Sequence, residues 1–268
     1  MKTFNFFDKN NNLIKKKLFS DKKVNHKILN EIGFFVVRSV FDNKTLEKYT
    51  TKFLAEVSKK KLNKTKNHLV EFKIDKISLF KKIYKEPKLK KIVKNFFDGN
   101  VGSDYFRIVK KDEFNSKPVF CHQDAGYQFG SFDRYSLFIS LTKNDKTNGG
   151  MIVYPFTHKF GYLGDVGEIS DEVTKKFNKI CPALDVGDIL IMHSSLWHES
   201  KKNFSKMNRI YLEIHIQDLE EPSTKYKIIG KRKKNMVIPF EKEKIFSNSR
   251  VQRIIKLKNK IDRLEKSK

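Results

Sequence analysis

The amino-acid sequence predicts a mainly β protein with added helices, and three observations support this. Between residues 103 and 217, short β-branched and aromatic runs alternate with turn residues, a spacing typical of a sandwich or barrel. The first 100 residues carry helical periodicity instead. Of the 268 residues, 38% are hydrophobic, enough for a sizeable core. We therefore expect one domain (1–268) with an N-terminal helical part (1–100), a β core (101–218) and a basic C-terminal extension (219–268).

The N-terminal part is expected to contain one strand and two helical segments. Gly33–Arg38 is aromatic and β-branched, which favours a strand. Asp42 or Asn43 can cap the helix that follows, where apolar residues recur at helical spacing. Residues 74–97 have the same periodicity, and Pro87 is expected to interrupt that helix.

Seven strands are predicted in the β core, separated by turns rich in glycine, asparagine and aspartate. They are Tyr105–Val109, Pro118–Asp124, Arg134–Leu141, Met151–Pro155, Leu184–Val186, Ile189–His193 and Arg209–Gln217. Residues 156–183 interrupt the strand pattern and are expected to form an insertion.

The C-terminal extension is strongly basic and is predicted to contain an amphipathic helix. Residues 225–268 include 16 lysines or arginines and four acidic residues. The apolar residues of the helix form one stripe: Val251, Ile254, Ile255, Ile261 and Leu264. This stripe is expected to dock on the chain's own domain. A partner helix, which would make an oligomer, and a membrane surface are the alternatives.

The formal net charge of +26 permits three kinds of partner: nucleic acid, an anionic membrane surface or an acidic small molecule. Only 8 of the 57 basic residues are arginine, the residue best suited to bidentate phosphate binding. The lysine excess therefore indicates compositional bias rather than selection for a polyanion. No nucleic-acid-binding motif is present. We expect no nucleic-acid partner, whereas an anionic small-molecule substrate fits the charge.

The sequence predicts a cytoplasmic protein. Its first residues lack the apolar segment of a signal peptide, and no stretch approaches the ~20 apolar residues of a membrane span. The two cysteines, Cys121 and Cys181, do not make a disulfide framework, which fits a reducing compartment.

Three residues have the composition of a metal site. A single histidine in an apolar strand is usually a core residue, but His122 and Asp124 are two apart. Residues two apart point to the same face of a strand. Together with the distant His198 they make the two-histidine, one-carboxylate set that binds Fe(II) on one face and leaves other positions open.

The ordered spacing resembles the phytanoyl-CoA dioxygenase family of Fe(II)/2-oxoglutarate-dependent oxygenases. The matching residues are His122 and Asp124, then His198, Ser200 two residues later, Asn203 after five and Arg209 after eleven. Residues 148–159 resemble the family's Asn-Gly turn, with Phe156 where the family usually has glycine. The resemblance spans about residues 33 to 217, most of the chain.

The resemblance implies a double-stranded β-helix, or cupin-like jelly roll, with N-terminal helices and a C-terminal helix outside it. It implies Fe(II), O₂ and the cosubstrate 2-oxoglutarate, which becomes succinate and CO₂ while an unactivated C–H of a small-molecule metabolite is hydroxylated. Ascorbate is expected to stimulate the reaction. Halogenating relatives have a small residue at the position of Asp124, so a carboxylate there favours hydroxylation. In such barrels an insertion like 156–183 borders the substrate entrance.

The family pattern also implies residue roles. The metal ligands would be His122, Asp124 and His198. Arg209 would bind the distal carboxylate of 2-oxoglutarate through its planar fork, with Ser200 adding a hydrogen bond. Independently of the family pattern, Phe138, from the strand before the Asn148-Gly149 turn, is expected either to line that pocket or to belong to the core. Three further residues are candidates for contacting substrate or supporting the ligands: Gln123, His158 and His193.

Two other functions remain as alternatives. A jelly-roll protein that binds without turnover would keep the fold, but the full ligand set argues against it. A nucleic-acid-modifying oxygenase is suggested by the charge, and its binding would weaken steeply with salt. The sequence selects no particular substrate.

Overall fold

The structure is a computed structural model that describes residues 19–21, 23–59, 70–73, 81–114, 116–128, 130–164, 168–233 and 250–266. Its strands are β1 (Phe19–Asp21), β2 (Phe34–Arg38), β3 (Val70–Lys73), β4 (Val101–Lys111), β5 (Val119–His122), β6 (Tyr135–Ser140), β7 (Met151–Val153), β8 (Ile189–His193), β9 (His198–Ser200), β10 (Arg209–Asp218) and β11 (Tyr226–Ile229). Its α-helices are α1 (His26–Ile32), α2 (Asn43–Lys59), α3 (Pro87–Val93), α4 (Asp171–Thr174) and α5 (Arg250–Lys266). Short 3-10 helices occupy Lys82–Lys85, Phe97–Gly99, Asp124–Tyr127 and Thr157–Phe160.

The strands form two sheets. The larger has eight strands in the order β1-β2-β8-β6-β10-β4-β11, with β3 also paired to β4, and the smaller has the order β5-β9-β7. From β4 to β10 the chain alternates between them, so that each even-numbered strand lies in the large sheet and each odd-numbered strand in the small one. This alternation is the double-stranded β-helix that the resemblance implied, and it places the small sheet opposite the centre of the large one.

Side-chain alternation along β10 separates the two faces of the large sheet. Ile210, Leu212 and Ile214 belong to the main apolar core, which also contains residues of α1, α2 and α3. The alternate residues, from Arg209 to His215, are buried on the other face. There Tyr211 clusters with Met151 and other residues of the small sheet. A row of polar side chains on β10 is thereby directed into the space between the sheets.

The insertion covers the outer face of the small sheet. Trp197 and Cys121 form an apolar cluster there, against which Phe177 of the insertion packs. The backbone amide of Ile169 donates to the Cys121 carbonyl at 2.9 Å, which ties the insertion to β5. Both faces of the short sheet are therefore covered, one by the large sheet and one by the insertion.

The structure differs from the predicted elements in several places. Leu184–Val186 contributes only an isolated bridge from Leu184 to Asn144. The strand predicted to reach Asp124 ends at His122. Both β2, from the N-terminal part, and β11, from the C-terminal extension, pair into the large sheet. Boundaries at 100 and 218 therefore do not separate the sheet from its surroundings, because backbone pairing joins distant segments. The helix predicted to begin at residue 74 starts outside the described residues.

The last helix, α5, does not dock in the expected way. Residues 254–266 are all exposed, so the part of the apolar stripe from Ile254 to Leu264 is not buried against the domain. Among the described residues, no helix combines the length and the apolar character that crossing a membrane requires.

Candidate metal centre

Three side chains converge between the two sheets. His122 ends β5 and His198 begins β9, and the two residues pair directly across the small sheet. Ligand atoms of His122, Asp124 and His198 all lie within 4.8 Å of one another. The Nε2 atoms of His122 and His198 are 3.9 and 3.5 Å from Asp124 Oδ1. Two imidazoles and one carboxylate thus face a common point, the arrangement of a facial Fe(II) site.

Each histidine ring is fixed by its other nitrogen. His122 Nδ1 lies 2.8 Å from the Phe120 carbonyl, and His198 Nδ1 lies 3.0 Å from the Leu196 carbonyl. Because a carbonyl oxygen can only accept, Nδ1 carries the proton in each ring. The Nε2 lone pairs are then available on the side of Asp124, as metal ligation requires.

The protonation states of the three groups also favour the binding of a cation between them. Burial and the neighbouring His198 lower the pKa of His122 to about 4, so its imidazole is neutral. Burial would raise the pKa of Asp124, but His198 and His122 hold it below its ordinary value. Asp124 in turn raises the pKa of His198 against the effect of burial. An ionised carboxylate beside two imidazoles favours a positive charge at their centre, and a metal ion would replace the proton on His198.

Asp124 reaches this point through a turn and not through strand alternation. The 3-10 helix Asp124–Tyr127 begins immediately after β5, and the amide of Ala125 donates to the Ser194 carbonyl at 2.9 Å. Ser136 Oγ on β6 donates to Asp124 Oδ2 at 2.6 Å. The serine orients the carboxylate so that Oδ1 faces both histidines.

Two buried cations lie along the same interior, at the end of β4 and the start of β10. Lys111 and Arg209 are 0% and 2% exposed and are register partners. Lys111 Nζ donates to Ser200 Oγ and to the Lys201 carbonyl, each at 2.8 Å. Arg209 Nη1 donates to the Gly149 carbonyl at 2.8 Å, while its Nε has no hydrogen-bond partner in the described part of the chain.

This pair of cations is complementary to a carboxylate. Burial, and secondarily the charge of Arg209, lower the pKa of Lys111 to about 6, because an ammonium group is unfavourable in a buried site beside another cation. Within the described ranges neither cation forms a salt bridge with an acidic side chain. An entering carboxylate would meet the Arg209 guanidinium, the Lys111 amine, which becomes charged by taking up a proton, and the Ser200 hydroxyl, which donates or accepts as needed.

Aromatic residues wall the space between the cations and the metal ligands. The Arg209 guanidinium lies 4.9 Å from the ring centroid of Tyr211, and the Tyr211 ring packs edge-on against Phe138 at 5.7 Å. Gly149 has φ +75°, and a Cβ there would approach the Lys201 carbonyl oxygen to 2.7 Å. Glycine is required at this turn because both the backbone conformation and the space exclude a side chain.

A second polar cluster lies on the other side of the metal ligands. Arg107 Nε donates to Glu213 Oε2 at 2.6 Å, and His215 Nε2 bonds to Glu213 Oε1 at 2.8 Å. His215 Nδ1 is 3.2 Å from the Gln128 amide nitrogen. Glu213 and His215 each have an atom within 4.8 Å of an Asp124 oxygen. The Arg107 side chain is 21% exposed and the Glu213 side chain is fully buried, so the arginine is the member of this pair that reaches solvent.

Gln123 lies between two of the predicted ligands and acts as a tether. It is buried, and its Nε2 donates to the Gly161 and Ser195 carbonyls, each at 2.7 Å. Its Oε1 accepts from the amide of Leu163 at 3.1 Å. The insertion is thereby fastened to the turn that precedes His198.

His158 and His193 lie together, outside the group of three ligands. Their ring centroids are 5.5 Å apart. His158 Nε2 donates to the Asn30 carbonyl at 2.9 Å, and His193 Nδ1 accepts from the amide of Ser195 at 3.1 Å. Nearby Phe156, where the family usually has glycine, has φ +67°. The turn therefore keeps a left-handed backbone at this position, which is strained for a bulky side chain.

We expect His193→Gln to retain Fe(II) binding. His193 lies outside the ligand group, so its loss should lower the free energy of unfolding by about 1 kcal/mol through the hydrogen bond to Ser195. Calorimetric iron titration and urea unfolding measure the two effects, with His198→Gln as the matched variant. If His193→Gln lost iron and His198→Gln kept it, the distal ligand would be misassigned.

Four residues near the ligands were missed from the sequence: Lys111, Ser136, Glu213 and His215. The sequence could have indicated Glu213 and His215, because strand alternation places both residues on the same face of β10 as Arg209. Lys111 could not be distinguished from the many other lysines in the sequence. Its burial depends on pairing β4 with β10, which the sequence does not specify.

The described architecture agrees with that of known proteins. A model of the family Phytanoyl-CoA dioxygenase (PhyH) matches residues 29–211. A curated relative, Phytanoyl-CoA dioxygenase 1 of Oryza sativa subsp. japonica, is 31% identical over 94 residues, covering 31% of this chain and 33% of the relative. The chain thus matches about a third of that relative's length.

Solved structures share the fold at low sequence identity. EctD from S. alaskensis superposes with a TM-score of 0.62 at 15% identity, covering 79% of this chain and 85% of that one. The epimerase SnoN, in complex with Fe3+, alpha ketoglutarate and nogalamycin RO, superposes with a TM-score of 0.61 at 14% identity, covering 73% of this chain and 82% of that one. AviO1 from Streptomyces viridochromogenes Tue57 superposes with a TM-score of 0.58 at 17% identity, covering 74% of this chain and 96% of that one. The match across residues 29–211 decides the family: the chain belongs to the phytanoyl-CoA dioxygenase family of Fe(II)/2-oxoglutarate-dependent oxygenases.

Proposed function

We propose that this protein is an Fe(II)/2-oxoglutarate-dependent dioxygenase that hydroxylates an unactivated C–H of a small-molecule metabolite. The observation that carries the proposal is the convergence of three ligand atoms within 4.8 Å in an interior that also holds two buried cations. A metal site alone would suit many functions. A metal site beside a carboxylate-binding pocket suits a cosubstrate that chelates the metal and carries a distal carboxylate.

Each residue has a task in this proposal. His122, Asp124 and His198 would hold Fe(II), with Ser136 fixing the carboxylate. Lys111 and Arg209 would bind the distal carboxylate of 2-oxoglutarate. When bound, the iron and 2-oxoglutarate supply the chemistry, in which O₂ converts the cosubstrate to succinate and CO₂ and oxygen is delivered to the substrate. A carboxylate at Asp124, in place of a small residue, favours hydroxylation.

We place the substrate on the side of the ligands away from Lys111 and Arg209. There Phe120 and Tyr127, 39% and 45% exposed, pack edge-on against His122 at 5.4 and 5.8 Å. Burial, His198 and, least of the three, the partly exposed Arg107 guanidinium lower the pKa of His122, so a positive charge lies near this ring. Aromatic edges beside a cation suit a small polar or anionic molecule.

Succinate formation tests the proposed activity. Purified protein with Fe(II), 2-oxoglutarate and ascorbate is expected to release succinate slowly without substrate, and faster with the correct member of a metabolite panel. The iron-dependent signal should vanish with a chelator. Binding of both Fe(II) and 2-oxoglutarate without any succinate would support the non-catalytic binding protein instead.

Binding of 2-oxoglutarate should depend on pH through Lys111. In the free protein Lys111 is charged below about pH 6 and neutral above it. A bound carboxylate favours the ammonium form and raises this pKa, so binding above pH 6 takes up a proton. The dissociation constant for 2-oxoglutarate should then rise with pH by up to about tenfold per unit until the pKa of the complex is reached.

Calorimetry with Fe(II) under argon measures this proton uptake directly, from titrations in two buffers of different ionisation enthalpy. Lys111→Met should bind more weakly at pH 6 and take up no proton. The groups that face Lys111 are Arg209, the Ser200 hydroxyl and the Lys201 carbonyl. An unchanged proton uptake in Lys111→Met would assign the linkage to another group.

A further inference from the structure

The hydroxyl of Tyr211 is a buried polar group that the fold leaves unpaired. Tyr211 is 0% exposed, and its hydroxyl makes no hydrogen bond to any residue that the structure describes. Burial raises the pKa of Tyr211 to about 12, while Arg209 and the backbone of Met151 act against this effect. A backbone group that lowers the pKa of a phenol is a donor, so the hydroxyl proton still has no acceptor. Because a buried unpaired hydroxyl is costly, its presence here points to an acceptor supplied by a ligand.

The hydroxyl lies at the same end of the interior as the two buried cations. Tyr211 follows Arg209 by two residues on β10, so both side chains leave the same face of the strand. The backbone of Met151, which acts on the hydroxyl, belongs to the register partner of Ser200 across the small sheet. Ser200 Oγ in turn accepts from Lys111 Nζ at 2.8 Å. The phenol therefore ends near the Ser200 hydroxyl and the Lys111 amine.

Arg209 carries a second unpaired donor beside this hydroxyl. Its guanidinium lies 4.9 Å from the centroid of the Tyr211 ring. Its Nη1 donates to the carbonyl of Gly149, two residues before Met151, whereas its Nε has no partner in the part of the chain that the structure describes. Neighbouring buried donors, one of them charged, are complementary to a group that is negative and only accepts. A carboxylate is such a group, because its two oxygens offer about four acceptor positions.

We propose that the Tyr211 hydroxyl donates a hydrogen bond to the distal carboxylate of 2-oxoglutarate, beside Arg209. This inference rests on the proposed function and adds to it a residue that selects the cosubstrate. The cations attract any anion, whereas a phenol on a rigid strand holds one donor at a fixed depth. A 2-oxo acid without a distal carboxylate leaves that donor unpaired, and a site built to pair a polar group rejects ligands that lack it.

Tyr211→Phe removes the hydroxyl and keeps the ring that packs against Phe138. Calorimetry with Fe(II) under argon is expected to show a dissociation constant for 2-oxoglutarate raised by about ten- to a hundredfold, the usual cost of losing a hydrogen bond to a charged group. Iron affinity should not change. 2-Oxopentanoate has the same chain length and the same chelating end but no distal carboxylate, so the variant and the wild type should bind it equally. Equal weakening of both ligands would overturn the proposal.

Tyr154→Phe is the matched control. The Tyr154 hydroxyl donates to Glu199 Oε1 at 3.1 Å, and its ring belongs to the apolar cluster on the outer face of the small sheet. Urea unfolding without metal or cosubstrate should separate the two variants. Tyr154→Phe should lower the midpoint and keep the affinity for 2-oxoglutarate. Tyr211→Phe should leave the midpoint unchanged or raise it, because its hydroxyl has no partner to lose.

The possible failures of the proposal can be told apart. Wild-type affinity for 2-oxoglutarate in Tyr211→Phe, or a midpoint lowered as in Tyr154→Phe, would overturn the role of the hydroxyl and leave Arg209 and Lys111 as the carboxylate site. A wild-type protein that binds Fe(II) but no 2-oxoglutarate would contradict the proposed function and this inference with it.

Discussion

Asp124→Ala is expected to abolish Fe(II)-dependent succinate formation and to weaken iron binding by about a hundred- to several-thousand-fold. The variant removes the only acidic ligand of the group, and losing one partner of a buried charge pair typically costs about 3–5 kcal/mol. His122 and His198 remain paired across the small sheet, so the protein should stay folded. Two neutral imidazoles alone would hold the metal weakly.

Calorimetric iron titration measures this effect independently of turnover. Two control variants are compared with this loss of iron affinity, one with a smaller expected effect and one with none. Ser136→Ala removes only the hydrogen bond to Asp124 Oδ2, and loss of such a supporting bond typically costs about 10- to 100-fold. Asp133→Ala removes an exposed carboxylate and should change nothing. Wild-type iron affinity in Asp124→Ala would remove Asp124 from the ligand set.

Arg209→Ala is expected to raise the KM for 2-oxoglutarate by at least about a hundredfold. A dicarboxylate entering this interior needs its distal charge compensated, because an isolated buried carboxylate is costly. The variant would leave Lys111 and the Ser200 hydroxyl, and above about pH 6 that lysine is neutral in the free pocket of the wild type. Arg209→Lys should lose less, since it keeps the charge but not the planar fork.

Steady-state succinate formation against 2-oxoglutarate concentration gives the KM, and iron titration should show unchanged metal affinity in both variants. Arg38→Ala is the matched control, because Arg38 pairs with Asp188 away from the pocket. A wild-type KM in Arg209→Ala would transfer the carboxylate site to Lys111 alone, which Lys111→Met would then reveal.

The sequence by itself predicted the family and the fold that goes with it, and both are confirmed. The order and spacing of His122, Asp124, His198 and Arg209 can be recognised along the chain without knowledge of the fold, and short-range residue preferences indicate the strands and turns. The sequence also predicted the amphipathic helix α5 and its docking on the domain, whereas the stripe residues from Ile254 to Leu264 are exposed.

Only the tertiary structure decided which additional residues surround the candidate site. Lys111 is one lysine among many until β4 pairs with β10 and places it beside Arg209. Ser136 reaches Asp124 from another strand of the large sheet. The first contact joins residues far apart in sequence, and the second joins the large sheet to the turn after β5, so both depend on sheet register and packing and not on local preference. A one-residue shift in that register would turn Lys111 to the opposite face of the sheet, which is why no local pattern could predict its role.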